Sequence, residues 1–152
     1  MGSYKPNISV CLLLMNNEEE VVLLRRFNTG YQDGKYEFPS GHIEEGEALT
    51  VAVVREAFEE ICVTVEVSNL EFVGCVDNHV SGKHVNFLFK TNKFIGIPKI
   101  MEIEECDDLC WRKITDLLPS MEDLSVDTKR FVDMMISNSV FKAYTGEEIF
   151  NK

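Results

Sequence analysis

Residues 41–63 read GHIEEGEALTVAVVREAFEEICV, a stretch in which glutamates crowd around an apolar run. From Ala48 onward the stretch is rich in residues that favour an α-helix, and we expect this helix to continue through about Ile61. On a helical wheel, large apolar side chains fall on one broad face, which we expect to pack against a sheet. That face carries Val51, Val54, Ala57, Phe58 and Ile61.

The same wheel places Glu56, Glu59 and Glu60 together on the opposite side of the helix. Like charges at this spacing destabilise a helix by roughly 0.2–0.5 kcal/mol per pair, and Arg55 offsets only part of this cost. One interpretation is a solvated acidic face. The other is a magnesium site, because Mg²⁺ prefers oxygen ligands and bridges to phosphate oxygens. The residues alone leave both interpretations open.

The stretch resembles the box that defines the Nudix hydrolase family, and in particular its MutT-like members. The box reads glycine, five residues, glutamate, seven residues, Arg-Glu, an apolar residue, any residue, Glu-Glu, any residue, glycine and an apolar residue. The matching positions here are Gly41, Glu47, Arg55, Glu56, Ala57, Glu59, Glu60 and Val63. Cys62 stands where the family has a glycine, at a position that usually ends the helix in a left-handed conformation. The resemblance extends from about residue 8 to residue 119.

This resemblance implies an α+β fold, an α/β/α sandwich in which a mixed, curved sheet lies between helices. It also implies hydrolysis of a nucleoside diphosphate linked to a second group, assisted by Mg²⁺ or Mn²⁺. The catalytic residues that it implies are Glu56, Glu59, Arg55 and Glu47, with Arg55 orienting the carboxylates and Glu47 securing the loop. The implied metal ligands are Gly41 through its carbonyl, Glu59, Glu60, and Glu56, which is alternatively the base that activates water. A downstream acidic ligand is also expected, first Glu104 and then Glu102 or Glu105.

The substrate is expected to meet residues that lie before the box. Arg25 and Arg26 end a predicted strand and could hold phosphates, although strand alternation predicts that at most one of them faces the site. Four aromatic residues could stack on a nucleobase, or each could simply pack in the core or a loop: Phe27, Tyr31, Tyr36 and Phe38.

The whole sequence is expected to form one domain, residues 1–152. Strands are predicted at 7–15, 21–27, 63–67, 69–80 and 84–94, and a second helix at about 123–136, capped by Ser125 or Asp127. A formal charge of −11 argues against a nucleic-acid polymer as partner. No apolar stretch reaches the roughly 18 residues that span a bilayer. We therefore expect a cytoplasmic protein without a membrane partner, with reduced cysteines, as a monomer or homodimer.

The leading functional hypothesis is cleavage of a nucleoside triphosphate, standard or oxidised, to the monophosphate and pyrophosphate. One alternative is hydrolysis of ADP-ribose or another nucleotide conjugate, and another is a nucleotide-binding Nudix module without catalysis. An isoprenoid diphosphate isomerase on the same fold would need a catalytic cysteine before the box, and Cys11 lies in an apolar strand instead.

Overall fold

The computed structural model describes residues 2–79, 82–119 and 121–145. The strands in this part of the chain are β1 (Asn7–Leu14), β2 (Glu20–Arg26), β3 (Tyr36–Glu37), β4 (Ser40–His42), β5 (Glu71–Asn78), β6 (His84–Thr91), β7 (Cys106–Lys113) and β8 (Phe141–Tyr144). The α-helices are α1 (Leu49–Ile61) and α2 (Val126–Ile136). No helix within these ranges is long and apolar enough to cross a membrane.

The strands form two sheets. One has five strands in the order β4-β1-β6-β5-β8, and the other has three in the order β3-β2-β7. β1 runs parallel to β6 and β5 runs parallel to β8, whereas the other neighbouring pairs are antiparallel. This mixed pairing, together with the two helices, confirms the predicted α+β sandwich.

β1 lies between two hydrophobic cores, which explains its continuous apolar sequence. Val10, Leu12 and Leu14 enter one core, to which α1 also contributes. Cys11 and Leu13 enter the other core, to which α2 contributes. A strand that is buried on both faces needs apolar residues at consecutive positions rather than at alternate ones.

The buried face of α1 differs from the face that the wheel predicts. Val51 and Phe58, both expected in the core, are 49% and 56% exposed. The helix is rotated so that smaller residues meet the sheet, and its buried side chains are Ala52, Val53, Ala57 and Ile61.

This rotation also corrects the predicted position of the glutamates. Glu56 and Glu60 follow the buried Ala52 at steps of four residues, and residues four apart share one side of a helix. Both carboxylates are therefore carried to the edge of the core, and of the three glutamates only Glu59 lies on the exposed side. The helical wheel placed the large apolar residues inward, whereas in the structure two glutamates occupy the inward positions.

Cys62 ends α1 in the left-handed conformation expected for the family glycine, with φ 58° and ψ 34°. The Cys62 N–H donates to the Phe58 carbonyl at 3.0 Å, and the Val63 N–H donates to the Ala57 carbonyl at 3.4 Å. These bonds satisfy carbonyls that a helix terminus leaves without partners. The cysteine thus preserves the helix end that the family glycine usually forms.

The strand predicted at 63–67 is wrong, because this segment is a connection between α1 and β5. Val63 and Val65 are buried at alternate positions, which produces the strand-like pattern. Only an isolated bridge between Thr64 and Ile95 forms there, and a 3-10 turn follows at Val67–Asn69. Val80, the last residue of the next predicted strand, lies outside the described residues.

The second predicted helix is confirmed, with Ser125 as its N-cap. The Ser125 Oγ accepts a hydrogen bond from the Thr128 N–H at 3.3 Å, as a capping serine does. The sequence pattern does not predict β8, which pairs with β5 beyond this helix. Lys142 and Tyr144 of β8 both donate to the carboxylate of Asp133, each at 2.7 Å, and so tie the strand to α2.

Candidate active site

Glu56 and Glu60 line one cavity at the point where α1 meets β4. The backbone of Gly41 approaches Glu56 so closely that a Cβ at position 41 would lie 2.0 Å from the Glu56 Cδ. The Ser40 N–H donates to Glu60 Oε2 at 3.1 Å. Glycine is therefore required at position 41 if Glu56 is to keep its place.

Both inward carboxylates resist ionisation. Burial raises the pKa of Glu60 well above its usual range, and the negative charge of Glu56 raises it further. Burial likewise raises the pKa of Glu56, although the Arg55 guanidinium opposes this rise. Glu59 and Glu102 add like charge around Glu56. Binding of a cation near these carboxylates would therefore be electrostatically favourable.

Arg55 organises the carboxylates as the resemblance implies. Its guanidinium donates to both oxygens of Glu47, at 2.7 and 2.8 Å, and to Glu56 at 2.8 Å and Glu59 at 3.1 Å. It also donates to the His42 carbonyl at 3.0 Å, which fixes β4 against the helix. Hydrogen bonds from Arg55, and then from the Glu44 N–H, lower the pKa of Glu47 to about 2.

The donor set fits a divalent cation in its chemistry, although it is not assembled around one. Among the described residues, no three His, Cys, Asp or Glu side chains are already grouped as ligands of a single ion. Arg55 instead holds Glu56 and Glu59 in ion pairs. Carboxylate oxygens with a nearby backbone carbonyl at Gly41 are nevertheless the ligands that Mg²⁺ prefers. A cation would also relieve the repulsion that raises the pKa of Glu60.

The downstream acid in the cavity is Glu102 rather than Glu104. All three glutamates are exposed, but Glu102 and Glu105 line the cavity and Glu104 does not. A turn in which the Glu105 N–H donates to the Glu102 carbonyl at 3.0 Å directs the residues between them away from the cavity. Burial, followed by the charges of Glu105 and Glu59, raises the pKa of Glu102. The sequence alone does not reveal this turn.

Arg25 and Arg26 both line the cavity, which corrects the prediction that at most one of them would. The pairing of β2 with β7 shifts register between these two residues. Such an irregularity re-aims side chains that would otherwise alternate across the sheet. Arg25 donates to Asp107 at 2.7 Å and Arg26 donates to Glu37 at 2.9 Å, so acidic partners already hold both guanidinium groups.

Of the four aromatic residues predicted to stack on a nucleobase, Tyr31 lines the cavity and the other three do not. Phe38 is buried to 1% exposure in the core beneath α2, because β3 and β4 turn its side chain inward. Phe27 is exposed away from the lining residues. Tyr36 donates to the carboxylate of Asp108, and this bond raises the pKa of Tyr36 to about 12. The aromatic side chain that does line the cavity is Tyr31.

The cavity, about 690 Å³ in volume, has further polar walls that sequence reasoning missed. Ser9 and Asn86 interrupt apolar strands with polar side chains, and this interruption is a signal that the sequence does contain. The role of α2 in the cavity wall depends on tertiary packing and could not be read from the sequence. The lining residues that were not predicted as site residues include Ser9, Glu37, His84, Asn86 and Asp127.

A profile described as the NUDIX domain matches residues 5–134. The chain belongs to the Nudix family. The NAD-capped RNA hydrolase NudC of Pseudomonas aeruginosa (strain LESB58) is 26% identical to this Nudix chain over 132 residues, which is 87% of this chain and 45% of that protein. The chain thus spans less than half the length of that relative.

Two further proteins of Escherichia coli are similar to this chain. The 8-oxo-dGTP diphosphatase of Escherichia coli (strain K12) is 40% identical over 52 residues, covering 34% of this chain and 40% of that protein. The solution structure of the E. coli ORF135 protein aligns with a TM-score of 0.75 at 22% identity, covering 90% of this chain and 93% of that one. The latter similarity shows a shared fold.

Proposed function

We propose that this Nudix protein hydrolyses a nucleoside triphosphate, standard or oxidised, to the monophosphate and pyrophosphate with the aid of Mg²⁺ or Mn²⁺. The observation that carries the proposal is the pair of inward carboxylates, Glu56 and Glu60, held at a cavity edge where their ionisation is opposed by burial and like charge. Such an arrangement lowers the stability of the free protein, and a bound cation would offset this cost.

The residues that would hold the metal are Glu56, Glu59, Glu60, Glu102 and the carbonyl of Gly41. When bound there, the ion neutralises diphosphate charge and lowers the pKa of the attacking water. Arg55 keeps Glu56 and Glu59 within reach of one another through hydrogen bonds of 2.8 and 3.1 Å. Glu47 in turn holds Arg55 through two contacts, so that the α1 carboxylates are presented on a fixed scaffold.

A carboxylate of α1, Glu56 in the first instance, accepts the proton of the attacking water. The new bond forms between the water oxygen and phosphorus, and the anhydride P–O bond breaks. Pyrophosphate leaves with the electron pair of that bond. Arg25 and Arg26, at the opposite cavity wall, would bind phosphate oxygens, and their acidic partners hold both guanidinium groups in position beforehand.

The similarity to the E. coli 8-oxo-dGTP diphosphatase over 52 residues supports a triphosphate substrate. The similarity to a protein named for NAD-capped RNA supports the second candidate, a nucleotide conjugate such as ADP-ribose. Both candidates use the same carboxylates, so the choice between them depends on the substrate group that occupies the rest of the cavity.

The proposal is tested by measuring release of phosphate and pyrophosphate from a nucleotide panel, which includes ADP-ribose, in the presence of Mg²⁺ or Mn²⁺. We expect turnover of a nucleoside triphosphate, with kcat/KM lowered about 100-fold or more in Glu59→Gln. Glu45→Gln, an exposed box residue that does not line the cavity, is the matched control and should retain activity. Turnover of ADP-ribose alone would favour the second candidate, and no turnover with either metal would contradict both.

A further inference from the structure

Asn86 is a buried polar residue that has no role in the hydrolysis proposed above. It is 4% exposed and lies in β6, between apolar neighbours. Within the described part of the chain, its carboxamide has no hydrogen-bond partner, although its backbone is paired in the sheet. Asn86 is not among the residues whose side-chain N or O atoms are fully enclosed without a partner, so its amide atoms open into the cavity. A carboxamide that no protein group engages at a cavity wall is available to hydrogen-bond a ligand.

The side chain of Asn86 faces the cavity. His84, two residues earlier on the same strand, also lines the cavity, and residues two apart in a strand share a face. Ser9, which pairs with Asn86 across the sheet, is a third lining residue on that face. Ser9 Oγ in turn contacts His42 Nδ1 on β4 at 3.2 Å. A polar row therefore crosses three adjacent strands and ends at Asn86.

The position of this row separates Asn86 from the site of hydrolysis. Gly41, next to His42 on β4, marks the carboxylate end of the cavity. Asn86 lies on β6, two strands away, and neighbouring strands are about 4.8 Å apart, which gives a separation of roughly 10 Å. A substrate whose phosphates lie at Gly41 would therefore meet Asn86 with its remote part, the nucleobase.

Two carboxylates outside α1 favour a ligand that donates hydrogen bonds. Asp127, at the start of α2, and Glu37 both line the cavity that Asn86 lines. Carboxylates accept hydrogen bonds, whereas a carboxamide both donates and accepts. A nucleobase edge with an amino group beside a ring nitrogen offers the matching donor and acceptor. Asparagine forms two hydrogen bonds with such an edge, accepting from the amino group and donating to the ring nitrogen.

We infer that Asn86 recognises the exocyclic amino group of the nucleobase and so determines which nucleotides the proposed hydrolase prefers. The inference rests on the proposed function for the placement of the phosphates. Asn86 is a specificity residue rather than a participant in hydrolysis. Its side chain accepts from the amino group and donates to the neighbouring ring nitrogen.

The test compares binding of nucleoside monophosphates that differ in an amino group, measured by NMR titration. AMP and GMP are each compared with IMP, and CMP is compared with UMP. At least one amino-bearing member should bind about tenfold more tightly than its counterpart, and Asn86→Leu should abolish that preference. Asn86→Thr, a second variant that suits a strand, should also abolish it.

Asn78→Leu provides the matched control, because Asn78 is a buried asparagine on the neighbouring strand that does not line the cavity and is not without a partner. This control should lose stability and keep the base preference. Asn86→Leu should instead be at least as stable to heat as the wild type, a result that a purely structural role would not give. Loss of stability in both Asn86 variants with the preference intact would overturn the inference, as would a wild type without any preference.

Titration with monophosphates also separates this inference from the proposed reaction. A base preference that depends on Asn86, in a protein that hydrolyses no nucleotide, would contradict the reaction and support the recognition site. Hydrolysis of triphosphates with the same base preference in the wild type and Asn86→Leu would support the reaction and overturn the site. The ratios of kcat/KM for CTP against UTP and for GTP against ITP provide the second measurement.

Discussion

Cys62 shows how a single residue can retain a conformation that its chemistry disfavours. Its φ of 58° and ψ of 34° lie in the left-handed region, where a Cβ approaches the following carbonyl oxygen. We expect Cys62→Gly to raise the free energy of unfolding by about 1 kcal/mol, measured by urea denaturation. Cys62→Ala, which keeps the Cβ, is the control and should change stability little. Equal stability of the glycine and alanine variants would show that the helix end is not strained.

The contribution of Glu37 to the free energy of unfolding depends on pH. Burial raises its pKa from 4.5 to about 7, although Arg26 opposes the rise. The folded state therefore holds this proton more tightly than the unfolded state does. The contribution of Glu37 to stability is complete below pH 4.5 and is lost as pH rises towards 7.

Glu37→Gln removes this titration, because the amide resembles the protonated acid. We expect the variant to match the wild type at pH 4.5 and to be more stable by about 1–3 kcal/mol at pH 8, as measured by urea denaturation across this range. The control is Glu18→Gln at an exposed turn position, which should show no such divergence. A Glu37→Gln variant less stable than the wild type at pH 8 would mean that the Arg26 ion pair outweighs the cost of burial.

At the scale of elements, β5 and α2 are in such close contact that no side chain fits between them at Gly74. A Cβ there would lie 2.4 Å from Met134 Cε and 2.8 Å from the backbone oxygen of Val140. The methionine could move, but the Val140 carbonyl accepts from the Cys75 N–H at 2.9 Å and leads into β8. Gly74 therefore determines how closely α2 and β8 approach the sheet.

We expect Gly74→Ala to lower the free energy of unfolding by about 1–3 kcal/mol, as overpacking of a filled core does. Hydrogen exchange should locate the weakened region in α2 and β8. The control is Cys75→Ala on the same strand, which removes a half-buried thiol and introduces no clash. Unchanged exchange rates in α2, with stability equal to the wild type, would show that Met134 and Val140 adjust freely.

The elements also show which parts of the fold the sequence could predict. β1 and α2 were predictable, since a continuous apolar run and a serine N-cap are local signals. The buried face of α1 was not, because the pattern rule places the largest apolar residues inward and this helix turns Glu56 and Glu60 inward instead. Local rules fail most readily where a site has displaced ordinary packing.

For the molecule as a whole, the carboxylate cluster of α1 was predictable and the cavity around it was not. The box spacing identifies Glu56, Glu59 and Glu60 because these positions are fixed within one helix. Asn86 and Asp127 reach the same cavity only through the pairing of β1 with β6 and the packing of α2. Contacts between elements that are distant in the sequence cannot be predicted from local patterns. The one local signal is a polar residue within an apolar strand.

The whole molecule has a formal charge of −11, and one of its carboxylates, Glu60, is buried. Burial, and then the charge of Glu56, raises the pKa of Glu60 well above its usual range. Glu60→Gln should therefore make the protein more stable at pH 8 in EDTA, because the amide removes charge and can still accept from the Ser40 N–H. In Mg²⁺ the wild type should instead be the more stable protein. A ligand present at 100 times its Kd stabilises the folded state by about 2.7 kcal/mol. The variant should gain less, because an amide oxygen carries less negative charge than a carboxylate oxygen. Thermal unfolding in EDTA and in Mg²⁺ measures both effects. Glu45→Gln, at an exposed position that does not line the cavity, is the control that should change neither. A Glu60→Gln variant with the same Mg²⁺-dependent gain as the wild type would remove Glu60 from the metal site, whereas a less stable variant in EDTA would mean that the carboxylate already stabilises the metal-free fold.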